Sequence, residues 1–147
     1  MNKNKSIIIG CDHAAFELKE KIKTYLSDKN YIVEDAGTTS KASVSYVDYG
    51  KKVAKAISTG KFLKGILLCG TGLGISIVAN RFANVRAAHC SDVFSVKMSR
   101  LHNDSNILVL GGRLIGDILA YELVQTWLDT NFEGGRHLER IQNIDVA

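Results

Sequence analysis

The 147 residues predict an α/β fold, a Rossmann-like doubly wound five-stranded parallel sheet with helices on both faces. Three observations carry that expectation. Short apolar runs rich in Ile, Leu and Val recur five times, at residues 6–10, 31–36, 65–69, 85–88 and 107–111. The stretches between them repeat their apolar residues at helical spacing. Repeated βα units joined by right-handed connections put helices on both faces of one sheet.

Residues 6–10 (SIIIG) read as the first strand, and Leu18, Ile22, Tyr25 and Leu26 follow at helical spacing. Residues 31–36 make a second strand, and the polar, small-residue stretch 37–45 a loop of functional length. A helix over about 49–58 carries Val53, Ala54 and Ile57 on one face. Residues 65–69 form the third strand, 75–82 the third helix and 85–88 a short fourth strand. Ser91 or Asp92 caps a helix running to about Leu101. The fifth strand is 107–111, and 117–128, with Leu119, Leu123, Val124 and Trp127, is a long amphipathic helix. A shorter helix starts near Gly135, so residues 131–147 form a tail and helix at the end of a single domain spanning 1–147.

Composition narrows the function. Lys and Arg number 19 against 15 Asp and Glu, and the resulting +4 is too mild a surplus for nucleic acid. It suits a small anionic substrate. No 18-residue apolar span occurs and the N-terminal apolar run is too short for a signal sequence, so neither membrane nor export is expected. Three cysteines without CxxC spacing argue against a disulfide framework or zinc knuckle and fit a reducing cytoplasm.

In open parallel sheets ligands sit beyond the carboxyl ends of the strands, where strand order reverses. With an order 2-1-3-4-5, that point lies where Cys11-Asp12-His13 meets Cys69 to Gly74. The latter loop spaces its glycines at 70, 72 and 74 as GxGxG. It lacks the dinucleotide fingerprint and the GK[ST] ending of a P-loop, so neither a nicotinamide cofactor nor a nucleoside triphosphate is expected. What remains is a nest of N–H donors for phosphate, carboxylate or an oxyanion formed during reaction. Cys69 enters that nest, where a helix end can lower a thiol's pKa and make it a base; the alternative is a small apolar residue closing a strand. Cys11 and Cys90 also follow strands. A thiolate metal site along the ligand edge is thereby an alternative, but neither pairing has usual ligand spacing, and no metal is expected.

Asp12 and His13 enter the same crevice, to bond a sugar or phosphate or to act as acid or base; Asp12 also suits the N-cap of a helix at Ala14. In RLHNDSN, residues 100–106, His102 is the candidate acid. A helix after strand four runs back toward the amino-terminal edge of the sheet, which leaves His102 about 17 Å from its own Cys69. A two-fold dimer brings it to a neighbour's site. Arg136 and Arg140, at i and i+4, form either a dianion clamp or a solvated face partnered by Glu133 and Glu139. Arg113, after the glycines that end strand five, is a third candidate for the same anion.

Taken together, GCDHA at 10–14, CGTGLGIS at 69–76, SRLHNDSN at 99–106, LGGR at 110–113 and FEGGRHLER at 132–140 resemble the ribose-5-phosphate isomerase B family, which includes galactose-6-phosphate isomerase subunits. The resemblance implies that Cys69 moves a proton between C2 and C1 of an open-chain aldose. It makes Gly70, Thr71, Gly72, Leu73 and Gly74 the anion hole for the enediolate, and His102 the acid that opens the furanose ring. Asp12, His13, Tyr46 and Asn103 become sugar contacts, and Arg113, Arg136 and Arg140 phosphate ligands. Also implied are metal-independent, cofactor-free catalysis and sites at a homodimer interface, with dimer and homotetramer both open as the final assembly. Some relatives carry a glutamate base at the position of Ile75; here the base is Cys69.

The implied reaction is interconversion of ribose 5-phosphate and ribulose 5-phosphate, in the non-oxidative branch of the pentose phosphate pathway. The nearest alternative is isomerisation of galactose 6-phosphate or allose 6-phosphate. A non-catalytic sugar-phosphate sensor, from another class, would need the arginines and glycine loop but neither Cys69 nor His102. The chain departs from the family where relatives commonly read SVDYPDY: an acidic residue becomes Ser45 and a proline becomes Val47.

Overall fold

The computed structural model describes residues 2–147 and contains five strands and six α-helices. In chain order they are β1 Ser6–Cys11, α1 Phe16–Asp28, β2 Ile32–Asp35, α2 Tyr46–Ser58, β3 Lys64–Cys69, α3 Leu73–Ala79, β4 Ala87–His89, α4 Val93–Leu101, β5 Ile107–Gly111, α5 Asp117–Asp129 and α6 Arg136–Asp145. All strand pairs are parallel, in the order β2-β1-β3-β5-β4. The expected order ended 4-5 and is corrected to 5-4. Burial explains the exchange: β5 is buried at all five positions and needs a neighbour on each side, whereas the three residues of β4 are half-buried and suit an edge. The reversal between β1 and β3 is unaffected, and with it the place of the crevice.

Alternation along the strands feeds two apolar layers. Ile7, Ile9, Cys11, Ile66, Leu68, Leu108 and Leu110 pack with α1, α4 and α5 around the fully buried Trp127. Ile8, Leu67, Cys69, Ile107 and Val109 pack on the other face with Val53, Ala54 and Ile57 of α2 and Ile75 and Ala79 of α3. Val53 approaches closely because Gly10 carries no side chain; a Cβ there would lie 2.8 Å from Val53 Cγ2. No described helix is long and apolar enough to cross a membrane.

Caps set the boundaries that periodicity misses. The Ser45 hydroxyl accepts from the Val47 N–H at 3.2 Å, and α2 therefore starts at Tyr46 rather than near 49. Asp12 accepts from the Ala14 N–H at 3.0 Å, capping a 3-10 turn, His13–Ala15, that leads into α1.

The loop after β2 is tied down by a buried cation. Lys19, fully buried, donates to Asp35 Oδ2 at 2.7 Å and to the Thr38 carbonyl at 2.8 Å. Burial acts to raise the Asp35 carboxyl, but hydrogen bonds from Lys19, Lys23 and the Gly37 N–H outweigh it and hold the pKa below the usual carboxylate range. A carboxylate depressed by folding stabilises the protein above its unfolded pKa, and that contribution is lost as pH falls through the folded pKa. Stability is expected to drop as the pH is lowered below about 4, and Asp35→Asn to weaken that dependence. A urea midpoint as pH-dependent in the variant as in the parent contradicts this.

Candidate active site

β3 delivers Cys69 to the carboxyl edge of the sheet, and the chain turns at once through the glycine loop into α3. The Gly72 N–H donates to Cys69 Sγ at 3.1 Å, so the thiol is held by the main chain of the loop. Cys69 is 4% exposed. Gly72 has φ +82°, and a Cβ there would come within 2.6 Å of the His89 ring. Gly74 lies under the ring of Tyr46, where a Cβ would sit 2.6 Å from Cζ. The Thr71 hydroxyl accepts from the Leu73 N–H at 3.3 Å. The Gly74 and Ile75 N–H groups belong to the first turn of α3, which has no carbonyl below it to accept them.

Beyond β5 the chain is strapped to this loop: Gly112 N–H donates to the Cys69 carbonyl at 2.8 Å and Arg113 N–H to the Gly70 carbonyl at 2.9 Å. The Arg113 side chain lies over Gly70, its Nη1 3.4 Å from where a Cβ would stand. On the other flank is the end of β1. Asp12 is buried and uses Oδ1 for its cap. His13 Nδ1 lies 3.1 Å from the Val44 nitrogen and 3.2 Å from the Val44 carbonyl oxygen, accepting from the first or donating to the second according to its tautomer, and either bond ties the ring to that loop. That tie also folds the loop before α2 back toward the crevice and brings Tyr46 over Gly74. Asp12, His13, Tyr46, Cys69, the loop through Gly74 and Arg113 therefore share one edge.

The other two thiols do not join them. Cys11 and Cys90 pack in the layer of α1, α4 and α5, on the opposite face of the sheet from Cys69. Burial pushes Cys11 up to about 12 and Cys90 up to about 11, so both stay protonated at neutral pH. A site ligated by all three is ruled out by this placement. Ile75, at the end of the glycine loop, is fully buried against α2.

His102, Asn103, Arg136 and Arg140 stand at the opposite, amino-terminal edge. α4 starts from its Asp92 cap at the carboxyl edge and runs back, so His102 at its C-cap lies just before β5 begins. Arg100 fixes that turn, donating to Asp104 Oδ1 at 2.7 Å, the Ser105 carbonyl at 2.6 Å and the Thr130 carbonyl at 3.2 Å. α6 is fastened to the same edge by Arg86, whose Nη1 donates to both Asp145 oxygens at 2.9 Å. Arg136 and Arg140 on α6 are both exposed.

Sequence reasoning passed over His89 and His137, and took Glu133 only as a surface partner of the two arginines. The period of two along β4 places His89 on the face that Cys69 uses, and Ile141, four residues after His137, marks that histidine as lying on the buried side of α6. His102, Glu133 and His137 bring three possible ligand atoms within 4.8 Å of one another. Their imidazoles are stacked at 16°, so the in-plane lone pairs run side by side rather than converging, and a tetrahedral metal site is not preformed.

A thiol seated against main-chain donors at the switch point of a parallel sheet, with an acid, an imidazole and a guanidinium on the same edge, is the arrangement expected of an enzyme acting on a small anionic molecule. The chain belongs to the ribose/galactose isomerase family, whose model matches residues 7–144. It is 46% identical over 140 residues to ribose-5-phosphate isomerase B of Escherichia coli, covering 95% of this chain and 94% of that protein. It is 42% identical over 140 residues to the D-erythrulose-4-phosphate isomerase of Pectobacterium atrosepticum, covering 95% and 92%. Among solved structures, a ribose 5-phosphate isomerase from Thermotoga maritima superposes with a TM-score of 0.94 at 55% identity, over 97% of this chain and 98% of that one. The type B ribose 5-phosphate isomerase of Trypanosoma brucei superposes at 0.92 with 36% identity, over 96% and 97%.

Proposed function

We propose that this protein interconverts ribose 5-phosphate and ribulose 5-phosphate, with Cys69 as the base. The observation that carries the reading is the Cys69 sulfur held 3.1 Å from a loop N–H at the mouth of the crevice. A base that moves hydrogen between adjacent carbons must reach both within about 3 to 3.5 Å. The Cys69 thiolate takes the C2 proton of the open aldose, and the electron pair moves through C1–C2 onto the carbonyl oxygen. The loop donors hold the enediolate oxygen, a proton passes from the C2 hydroxyl to the C1 oxygen, and the same thiol returns a proton to C1, leaving the carbonyl at C2. His102 supplies the proton that opens the ring, and Arg113, Arg136 and Arg140 bind the phosphate. An enediolate predicts solvent deuterium in the product.

The edge-to-edge separation of these groups supports sites shared between two copies in a homodimer. Cavities of about 470 and 490 Å³ open at the amino edge, the first lined by Lys64, Arg86, Arg100 and Asp104 and the second by Asn80, Asn84, Ile144 and Asp145. Neither is lined by Cys69, consistent with a crevice that needs a second copy to close it. Leu73, Ile77, Phe94, Leu114 and Ile118, exposed on α3, on the starts of α4 and α5 and on the turn before α5, supply an apolar surface for that copy. Three free thiols fit a reducing cytoplasm.

Incubation with ribose 5-phosphate, galactose 6-phosphate and D-erythrulose 4-phosphate in parallel is the test, with fast turnover expected of the first. Turnover of only another sugar phosphate, or of none, contradicts the reading. Arg136→Ala with Arg140→Ala is expected to raise KM for ribose 5-phosphate by on the order of 100-fold, from the loss of charge-assisted bonds to phosphate, with little change in thermal stability. An unchanged KM makes them surface charges.

A further inference from the structure

A buried imidazole stands directly behind His102. His137 is 5% exposed in the first turn of α6, and its Nε2 has no hydrogen-bond partner among the described residues. Its ring lies parallel to that of His102, with centroids 4.3 Å apart. Glu133 Oε2 stands 3.8 Å from Nε2 of each ring. The Glu133 N–H donates to the Leu101 carbonyl at 3.0 Å, which ties this segment to the end of α4. An unpaired buried nitrogen costs stability that an apolar ring of the same shape would not. The position therefore uses the plane of the ring and its neutral state rather than a hydrogen bond.

We propose that His137 and Glu133 are positioning residues for His102: the stack fixes the plane of the His102 ring, and the Glu133 carboxylate beside it favours its protonated form over that of the buried His137. The proposal rests on the reading of His102 as the ring-opening acid. Two imidazolium ions at stacking distance repel strongly, so a proton on one ring disfavours a proton on the other. Burial holds the His137 pKa below the ordinary histidine value, helped by His102, Arg136 and Arg140 and opposed by Glu133. His102, its side chain 39% exposed, keeps more of its hydration and has the Glu133 carboxylate beside it. Those five residues are the charged and titratable groups that face one another here, from the end of α4, the segment before α6 and α6 itself. When the ring opens, His102 gives its proton to the furanose oxygen as the C1–O bond breaks. The anomeric hydroxyl loses its proton to water, and His102 is left neutral.

Ring opening and proton transfer at carbon are separable by substrate. Ribulose 5-phosphate has its C5 oxygen esterified and stays open-chain, so exchange of its C1 hydrogen with D2O needs the base and no ring opening. His137→Ala is expected to lower kcat on ribose 5-phosphate by about 10-fold or more while that exchange stays within about threefold of the parent. His137→Phe, which keeps the stack, restores most of the turnover. Glu133→Gln removes the charge that favours protonated His102, and the alkaline fall of kcat/KM moves to lower pH. His102→Gln, measured alongside, tests the underlying reading: full ribose 5-phosphate turnover in that variant removes His102 as the acid. With His102 upheld, the proposal is overturned by His137→Ala at parental turnover, by equal losses of turnover and exchange, or by His137→Phe as impaired as His137→Ala. If His137→Ala does not fold, Glu133→Gln decides, and an unmoved alkaline limb overturns the proposal.

Discussion

Cys69→Ala is expected to reduce kcat for ribose 5-phosphate by on the order of 10⁴-fold, the upper range for loss of a positioned base. Cys69 is the one thiol of three that meets the glycine loop, through the 3.1 Å contact to the Gly72 N–H. Ile75, the residue that follows the loop, is apolar and buried and cannot stand in as the base. The fold should survive: removing a sulfur at the end of a strand costs about 1 kcal/mol in burial, small beside the stability of a domain of this size. The arginines are untouched, so binding of the phosphorylated sugar should persist and be measurable by calorimetry. Cys11→Ala and Cys90→Ala serve as controls. Both thiols lie on the other face of the sheet, and each variant should lose some stability and keep its turnover. Turnover of Cys69→Ala near the parent's removes the thiol from the mechanism.

Gly72→Ala is the second large effect, through geometry rather than chemistry. At φ +82° an alanine is strained, and its Cβ meets the His89 ring at 2.6 Å and the Leu110 carbonyl carbon at 3.2 Å. The backbone must shift, and it carries both the N–H that holds Cys69 and the start of the anion cradle. Loss of one aligned oxyanion donor corresponds to a fall in kcat of about 10² to 10³-fold. KM should change less, since two of the three proposed phosphate ligands, Arg136 and Arg140, lie on α6. The kcat and KM values, with a melting curve, separate this from unfolding. An unchanged kcat at full stability means that the loop is a turn and no part of the chemistry.

Much of this was legible in the residues. Apolar runs and the period of 3.6 give the strands and helices because most of these elements bury an apolar face, and β5 appears at its expected bounds, Ile107–Gly111. Three features were not legible, each for a physical reason. The order of the last two strands depends on long-range pairing, although the wholly apolar ILVLG against the short AAH would have pointed to it. The start of α2 depends on one hydroxyl, that of Ser45, which is invisible to apolar spacing. The stack of His137 on His102 joins the ends of two helices 35 positions apart in the chain, a contact that neither helix specifies alone. The placement of His102 far from its own Cys69 was within reach, because chain direction in a βα unit is fixed once the strands are parallel. That topology also explains how one set of motifs comes to lie on two edges.

The decisive measurement is complementation. Cys69→Ala and His102→Gln chains, each inactive alone, are unfolded together in equal amounts, refolded and assayed on ribose 5-phosphate. Sites that draw the thiol from one copy and the imidazole from the other predict recovery to about one quarter of parental activity, since about half of the dimers are mixed and each has one intact site. Activity no higher than that of the separately refolded variants contradicts a site built from two copies.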